Sequence, residues 1–210
     1  MIFEYINEYE IRKFKFIDDR ECIIIPIYGE EYKACENPDM WCTRDDTPST
    51  KGLANSMNEP SIVERAGRIG ECASSKLFGV EVNFERIKGG DNGIDFRWKG
   101  KTFDIKTARN YNGARRHKKN FIKATDKNGY RTPLHSDIYI SSFILDEDKE
   151  AKEASVVMVG WMTKKRLKHL HKDGLHVSPR WSWQLNYELK FKDTNPIVPL
   201  VERVRSFDRK

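Results

Sequence analysis

Asp95 and Asp104, nine residues apart, and Lys106, two residues further on, are the side chains best suited by type and spacing to do chemistry. They lie in the stretch Gly93-Ile94-Asp95-Phe96-Arg97-Trp98-Lys99-Gly100-Lys101-Thr102-Phe103-Asp104-Ile105-Lys106. Apolar and polar residues alternate on both sides of Lys99-Gly100, which predicts a β-hairpin around a two-residue turn. Counting outward from that turn pairs Trp98 with Lys101, Arg97 with Thr102, Phe96 with Phe103, Asp95 with Asp104 and Ile94 with Ile105. Asp95, Asp104 and Lys106 then share one face. Like charges opposed across a strand pair are unfavourable and Asp is depleted in strands, so stability alone gives no reason for the pair. A bound cation does. Two carboxylates suit Mg²⁺, which prefers oxygen ligands and keeps several waters for a phosphate-bearing substrate. A lysine beside them can orient or help deprotonate a water and offset charge building on a phosphate. The competing reading is a hairpin face that is merely polar, and the facing aspartates weigh against it.

The elements that must hold this hairpin are legible on both sides of it. Upstream, Ile62, Ala66, Ile69, Ala73 and Leu77 recur at helical spacing behind the start signals Pro60 and Ser61, and Gly79 ends the run. A strand is expected over Val80–Phe84, then a loop over Lys88–Asn92. Downstream, Ser136–Leu145 reads as a buried strand, followed by an acidic turn containing Asp146, Glu147, Asp148, Glu150 and Glu153. Ala154–Trp161 reads as another strand, and Thr163 opens a short basic helix. Tyr187 and Leu189, with Trp181 and Trp183, suggest a last packed strand before a charged tail. The first 50 residues read as an appendage: β-prone residues from Tyr9 to Ile27, then a long loop or linker from Asn37 to Pro60.

Charge and composition narrow the class. The 210 residues suffice for one domain with an added segment. With 38% hydrophobic and 33% charged residues, the chain has the profile of a soluble globular protein and not of a disordered one. No run approaches the ~20 apolar residues of a membrane span. Met1-Ile2-Phe3-Glu4-Tyr5 has neither a basic n-region nor a long apolar run, so a cytoplasmic location is expected. Cys22, Cys35, Cys42 and Cys72 form no CxxC unit and are expected to be reduced thiols; a zinc site from Cys35 and Cys42 with Cys22 or a histidine matches no common spacing. His169, His171 and His176 read as surface residues.

The net charge of +6 is concentrated. From Arg109 to Arg131 eight basic residues face one acidic residue, which exceeds the excess of the whole chain. A second cluster, Lys164, Lys165, Arg166, Lys168 and Lys172, follows Trp161. Basic segments downstream of a metal site suggest a polyanion, with nucleic acid the usual one; a solvated basic face is the plain alternative.

Gly93-Ile94-Asp95, followed by Asp104-Ile105-Lys106-Thr107 and preceded by the helix phrase Gly67-Arg68-Ile69-Gly70-Glu71, resembles the PD-(D/E)XK nuclease superfamily. Val159-Gly160-Trp161-Met162-Thr163 looks like the late strand-to-helix junction of its phage-type members. Ile94 stands where the proline of the motif would be. The resemblance covers roughly residues 60 to 190. It implies an α/β restriction-endonuclease-like fold, a mixed central β-sheet flanked by helices, here with a β-rich N-terminal extension. The expected organisation is an extension over 1–58, a nuclease core over 59–192 and a tail over 193–210.

The same resemblance implies residue roles. Asp95, Asp104 and the Ile105 carbonyl would bind Mg²⁺, with Mn²⁺ able to substitute, and Lys106 would assist the water. Glu71 is the candidate helix carboxylate. An ideal helical wheel turns Glu71 away from the apolar stripe, so it faces the site only if the helix is buried on two sides; Glu64, seven residues earlier, is its rival. Arg109, Arg115, Arg116, Lys118, Lys119 and Lys123 are candidate DNA-phosphate contacts. The expected activity is metal-dependent hydrolysis of phosphodiester bonds in DNA, as an endonuclease. The alternatives are a junction resolvase, which would be a homodimer, a recombination exonuclease, or a non-catalytic nucleic-acid-binding protein on the same fold.

Overall fold

A computed structural model describes residues 6, 9–36, 60–81, 94–125, 128–177 and 184–208, with 60–64 and 207–208 described by backbone alone. The expected loops over 37–59 and 88–92, together with Cys42, Trp181 and Trp183, lie outside the described residues. Of the strand expected over 80–84 only Val80 and Glu81 are described, and neither is in a strand.

The expected hairpin is β3 (Phe96–Trp98) and β4 (Lys101–Ala108), with the register Trp98 to Lys101, Arg97 to Thr102 and Phe96 to Phe103. Its turn residues Lys99 and Gly100 both have positive φ, 45° and 74°, as the tight turn that suits strand twist requires. The helix expected after Pro60 is α2 (Pro60–Phe78). It ends where Gly79 takes φ +66° and donates its N–H to the Ser75 carbonyl at 2.8 Å.

Among the described residues the main sheet runs β1-β2-β7-β6-β4-β3, from β1 (Glu10–Phe14) and β2 (Arg20–Tyr28) through β7 (Glu153–Thr163) and β6 (Ile138–Asp148) to the hairpin. β4 and β6 are parallel and the other neighbours antiparallel. A short β10 (Asn195–Pro196) also pairs with β7. A second, antiparallel sheet is ordered β5 (Lys119–Lys123), β9 (Leu185–Lys190), β8 (His176–Val177). The chain is therefore mixed α/β with an open mixed sheet flanked by helices.

Both faces of the main sheet are covered, which is why Ile23-Ile24-Ile25 and Val156-Val157-Met158-Val159 are continuous apolar runs. Alternate residues go to opposite layers. Ile23, Ile25, Phe103, Ile105, Val156 and Met158 pack under α2, α1 (Gly29–Glu36) and α5 (Ile197–Asp208). Cys22, Ile24, Phe143, Val157 and Val159 pack on the other side with Phe14, Ile17 and Phe191. Tyr139 and Met162 meet the second sheet and α4 (Lys164–Leu170). Thr163 caps α4 by accepting the Arg166 N–H at 3.3 Å, as the sequence suggested.

Three expectations are corrected. The N-terminal strands are not an appendage: β2 is hydrogen-bonded to β7 along six residues, because its isoleucines complete the core on both faces. The tail beyond 193 is not merely charged, since α5 buries Ile197, Val201 and Val204 against α2 and β2. The acidic turn is shorter than expected, because Asp146, Glu147 and Asp148 belong to β6 and Glu153 opens β7. The cysteines also divide by layer. Cys35 and Cys72 bring their sulfurs to 2.9 Å in the helical layer, whereas Cys22 lies across the sheet, so Cys22 and Cys35 cannot share a zinc. Burial pushes the Cys22 thiol up to about 12, with Arg20 opposing weakly. Among the described residues no helix is long and apolar enough to cross a membrane.

Candidate functional site

The ladder between β3 and β4 stops at Phe96, one residue short of the aspartates. The Asp95 N–H donates to the Phe103 carbonyl at 2.8 Å. The next β4 donor, the Ile105 N–H, goes to Asp95 Oδ2 at 2.5 Å instead of to a strand carbonyl. The expected Asp95–Asp104 and Ile94–Ile105 pairs are thus absent from the ladder. Opposed aspartates would repel, and folding one carboxylate onto a backbone N–H relieves this. The stacked rings of Phe96 and Phe103, 4.6 Å between centroids, anchor the hairpin immediately beside the departure.

Asp104 and Lys106 alternate along β4 and lie on the face opposite Phe103 and Ile105. They are in direct contact: Lys106 Nζ lies 2.5 Å from Asp104 Oδ1. Asp104 is only 3% exposed. Tyr139, which sequence reasoning did not single out, stands beside Asp104 across the parallel β4–β6 pairing. Burial first, and the Asp104 charge second, push its phenol well up, so it stays protonated. The register decides this: Tyr139, the second residue of β6, stands at the level of Asp104.

Helix α2 brings a third carboxylate, Glu71, within electrostatic reach of Asp95. Every residue from Cys72 to Phe78 is buried, because α2 is packed by β4 and β2 on one side and by α1 and α5 on others. This is the two-sided burial that Glu71 needs to leave the solvent face. The approach is close at Gly70, where a Cβ would fall 1.9 Å from Thr107 Oγ1 on β4. The electrostatics of Asp95 register the result. Its carboxyl is held well above the usual aspartate range by burial, then by the charge of Glu71, then by that of Asp104, with Lys106 and the Ile105 N–H opposing. Glu71, Asp104 and Lys106 therefore all act on Asp95. The Glu64 side chain lies outside the described residues.

The donor type suits a hard divalent ion: carboxylate oxygens, one of them held protonated mainly by burial and further by the neighbouring carboxylates. As they stand, among the described residues no three His, Cys, Asp or Glu side chains are gathered to ligate a metal. Asp104 is turned onto Lys106 and Asp95 onto the Ile105 N–H.

The basic segment follows the site directly. Arg109 leaves β4, and Asn110 caps α3 (Tyr111–His117) by accepting the Gly113 N–H at 2.7 Å. Arg109, Arg115, Arg116, Lys118 and Lys123 are exposed. Lys119 is not available in the same way. It is ion-paired with Glu188, which His176 at 3.1 Å and Lys190 at 3.4 Å also approach. His171 is a structural bridge rather than a surface group, with Nδ1 at 2.9 Å from the Leu167 carbonyl and Nε2 accepting the Glu188 N–H at 2.9 Å. No family model, curated protein or solved structure matches the chain.

Proposed function

We propose that this protein is a metal-dependent nuclease that hydrolyses phosphodiester bonds in DNA, on a restriction-endonuclease-like fold. The observation that carries the reading is the influence of Glu71 and Asp104 on Asp95, with Lys106 against Asp104, at the point where β3 leaves β4. A helix bearing a carboxylate, then a hairpin bearing an aspartate and an acid-x-lysine pair, is also the element order of PD-(D/E)XK nucleases.

In this reading Asp95, Asp104 and the Ile105 carbonyl, with Glu71, would hold Mg²⁺ or Mn²⁺. The ion would supply a water activated near neutral pH and neutralise charge on the scissile phosphate. Asp104 and Asp95 provide the negative potential that draws a cation to the strand edge. Lys106, which contacts Asp104, would be placed to donate a hydrogen bond to the attacking water or to a phosphate oxygen. The Ile105 N–H keeps Asp95 oriented. The exposed cations of the segment after β4 hold the backbone of the substrate without reading its sequence.

The test is incubation of the purified chain with linear, circular and branched DNA, with Mg²⁺, Mn²⁺ or EDTA. Cutting of circular DNA that requires the metal and is lost in Asp104→Asn is expected. Absence of cleavage on every substrate would refute the enzyme reading and leave a binding protein.

A further inference from the structure

We infer that the end of β1 with its link to β2 (Lys13–Phe16) and α3 together form a binding site for a single-stranded stretch of nucleic acid. The ligand's identity rests on the nuclease reading. An open cavity of about 590 Å³ is lined by Lys13, Lys15, Phe16, Tyr111, Arg115 and Lys118, with the buried Phe14 beneath them. Among the described residues no acidic side chain lines it. Lys13 has a weak, exposed partner in Glu21 at 3.7 Å. Lys15, Arg115 and Lys118 are exposed and, among the described residues, not ion-paired.

Two segments far apart in sequence meet here for a definite reason. Phe16 packs edge-on against Tyr111, with ring centroids 5.6 Å apart, and both rings rest on Phe143 of the sheet. Both stay half-buried, so part of each ring faces the cavity. Arg115 and Lys118 are three residues apart at the end of α3, where Lys118 takes φ 52° and terminates the helix.

The cavity lies on the face of the sheet that carries Asp104 and Lys106. Ala108, two residues beyond Lys106 on the same side of β4, packs into the aromatic cluster of Phe14, Phe16 and Tyr111. At ~3.3 Å per residue, Ala108 is roughly 13 Å from Asp104, a span of a few nucleotides. Cations alone would suit any duplex backbone. Half-exposed rings among them suit unpaired bases, which can stack. The substrate class this selects is DNA with a single-stranded segment beside the cut: an overhang, a flap or a branch.

The test uses the full chain carrying Asp104→Asn, with fluorescent single-stranded and duplex oligonucleotides and anisotropy read at several salt concentrations. Adding Lys15→Glu and Arg115→Glu is expected to weaken single-strand binding at least ~10-fold and to lower the salt slope by about 1.4, at ~0.7 per contact. Tyr111→Leu is expected to weaken single-strand binding about tenfold while leaving duplex binding within about twofold. The control pair Lys149→Glu and Arg203→Glu, both exposed and outside the cavity lining, should change affinity less than about twofold. Matching melting curves establish that variants fold, and Lys15→Gln with Arg115→Gln replaces the reversals if they do not. Control-like binding in the charge variants, equal losses on both substrates in Tyr111→Leu, or no binding by the parent overturns the inference. If the unmutated chain cuts no DNA yet these losses appear, the nuclease reading falls and this site stands. If it cuts and the charge variants bind like the control, the reverse holds.

Discussion

The Asp95 carboxylate takes the place of a strand: its Oδ2 accepts the Ile105 N–H that the Ile94 carbonyl would hold if the ladder continued. A backbone donor of β4 is thereby satisfied by a side chain, and the sheet edge opens beside Asp104 and Lys106. The candidate chemistry depends on this exchange.

In the proposed nuclease, the metal ion would compete with Lys106 for Asp104. Lys106→Ala should therefore bind Mn²⁺ more tightly than the unmutated chain while losing at least ~100-fold in cleavage rate, because the group stabilising the transition state is gone. Asp104→Asn should lose both. Metal titration followed by the thermal midpoint, beside a cleavage assay, separates the two; equal metal affinity in Lys106→Ala and the unmutated chain would show that no competition exists.

Asp95 imposes a pH dependence on stability. Its carboxyl is raised in the folded protein, by burial first and then by Glu71 and Asp104, so folding binds a proton that the unfolded chain has already released. That contribution is fully present below the ordinary aspartate pKa and disappears as pH rises through the raised folded value. Without divalent ions the thermal midpoint should fall over that window; saturating Mg²⁺ should flatten the fall by favouring the charged form. Glu71→Gln should lower the pKa of Asp95, which carboxyl NMR measures directly. No movement of Asp95 in that variant would remove Glu71 from the site.

Gly70 sets how closely α2 approaches β4. Gly70→Ala places a methyl 1.9 Å from Thr107 Oγ1 and 3.0 Å from Thr107 Cβ, so Thr107 must give up its contact with Ser142 or helix and strand must move apart. We expect a loss of about 1–3 kcal/mol by denaturant unfolding. Cleavage should fall further than the folded fraction accounts for, because Glu71 moves with the helix. Thr107→Ala in the same chain removes the nearest clashing atom and should restore part of both.

Lys76 is a buried cation on α2, 1% exposed, held by Glu31 at 2.6 Å and by the Pro26 carbonyl at 2.9 Å. Glu31→Ala leaves that charge without its carboxylate and should cost roughly 3–5 kcal/mol. Lys76→Met with Glu31→Leu replaces the pair by apolar volume and should cost much less. Denaturant unfolding of the two variants decides it; equal losses would mean that packing, not charge, holds α1 to α2.

What the sequence determined by itself was set by neighbours along the chain. The Lys99-Gly100 turn and its register, the limits of α2 at Pro60 and Gly79, and the Thr163 cap of α4 each follow from local backbone preference and side-chain period. The shared face of Asp104 and Lys106 belongs here too, since two residues along a strand always point the same way. Where tertiary contact competes with local pattern, the outcome was not legible. Helical periodicity alone turned Glu71 toward solvent, and only packing on several sides of α2 brings its charge to Asp95. Alternation carried the hairpin ladder through Asp95, and the repulsion and the free Ile105 N–H that end it exist only once the strands are assembled. Lys119 and Arg115 read alike as basic residues, yet Glu188, far along the chain, engages one and leaves the other exposed. Charges and apolar runs are visible in a sequence, but which of them neutralise or cover one another is decided by partners distant in the chain, and only the folded structure brings these together.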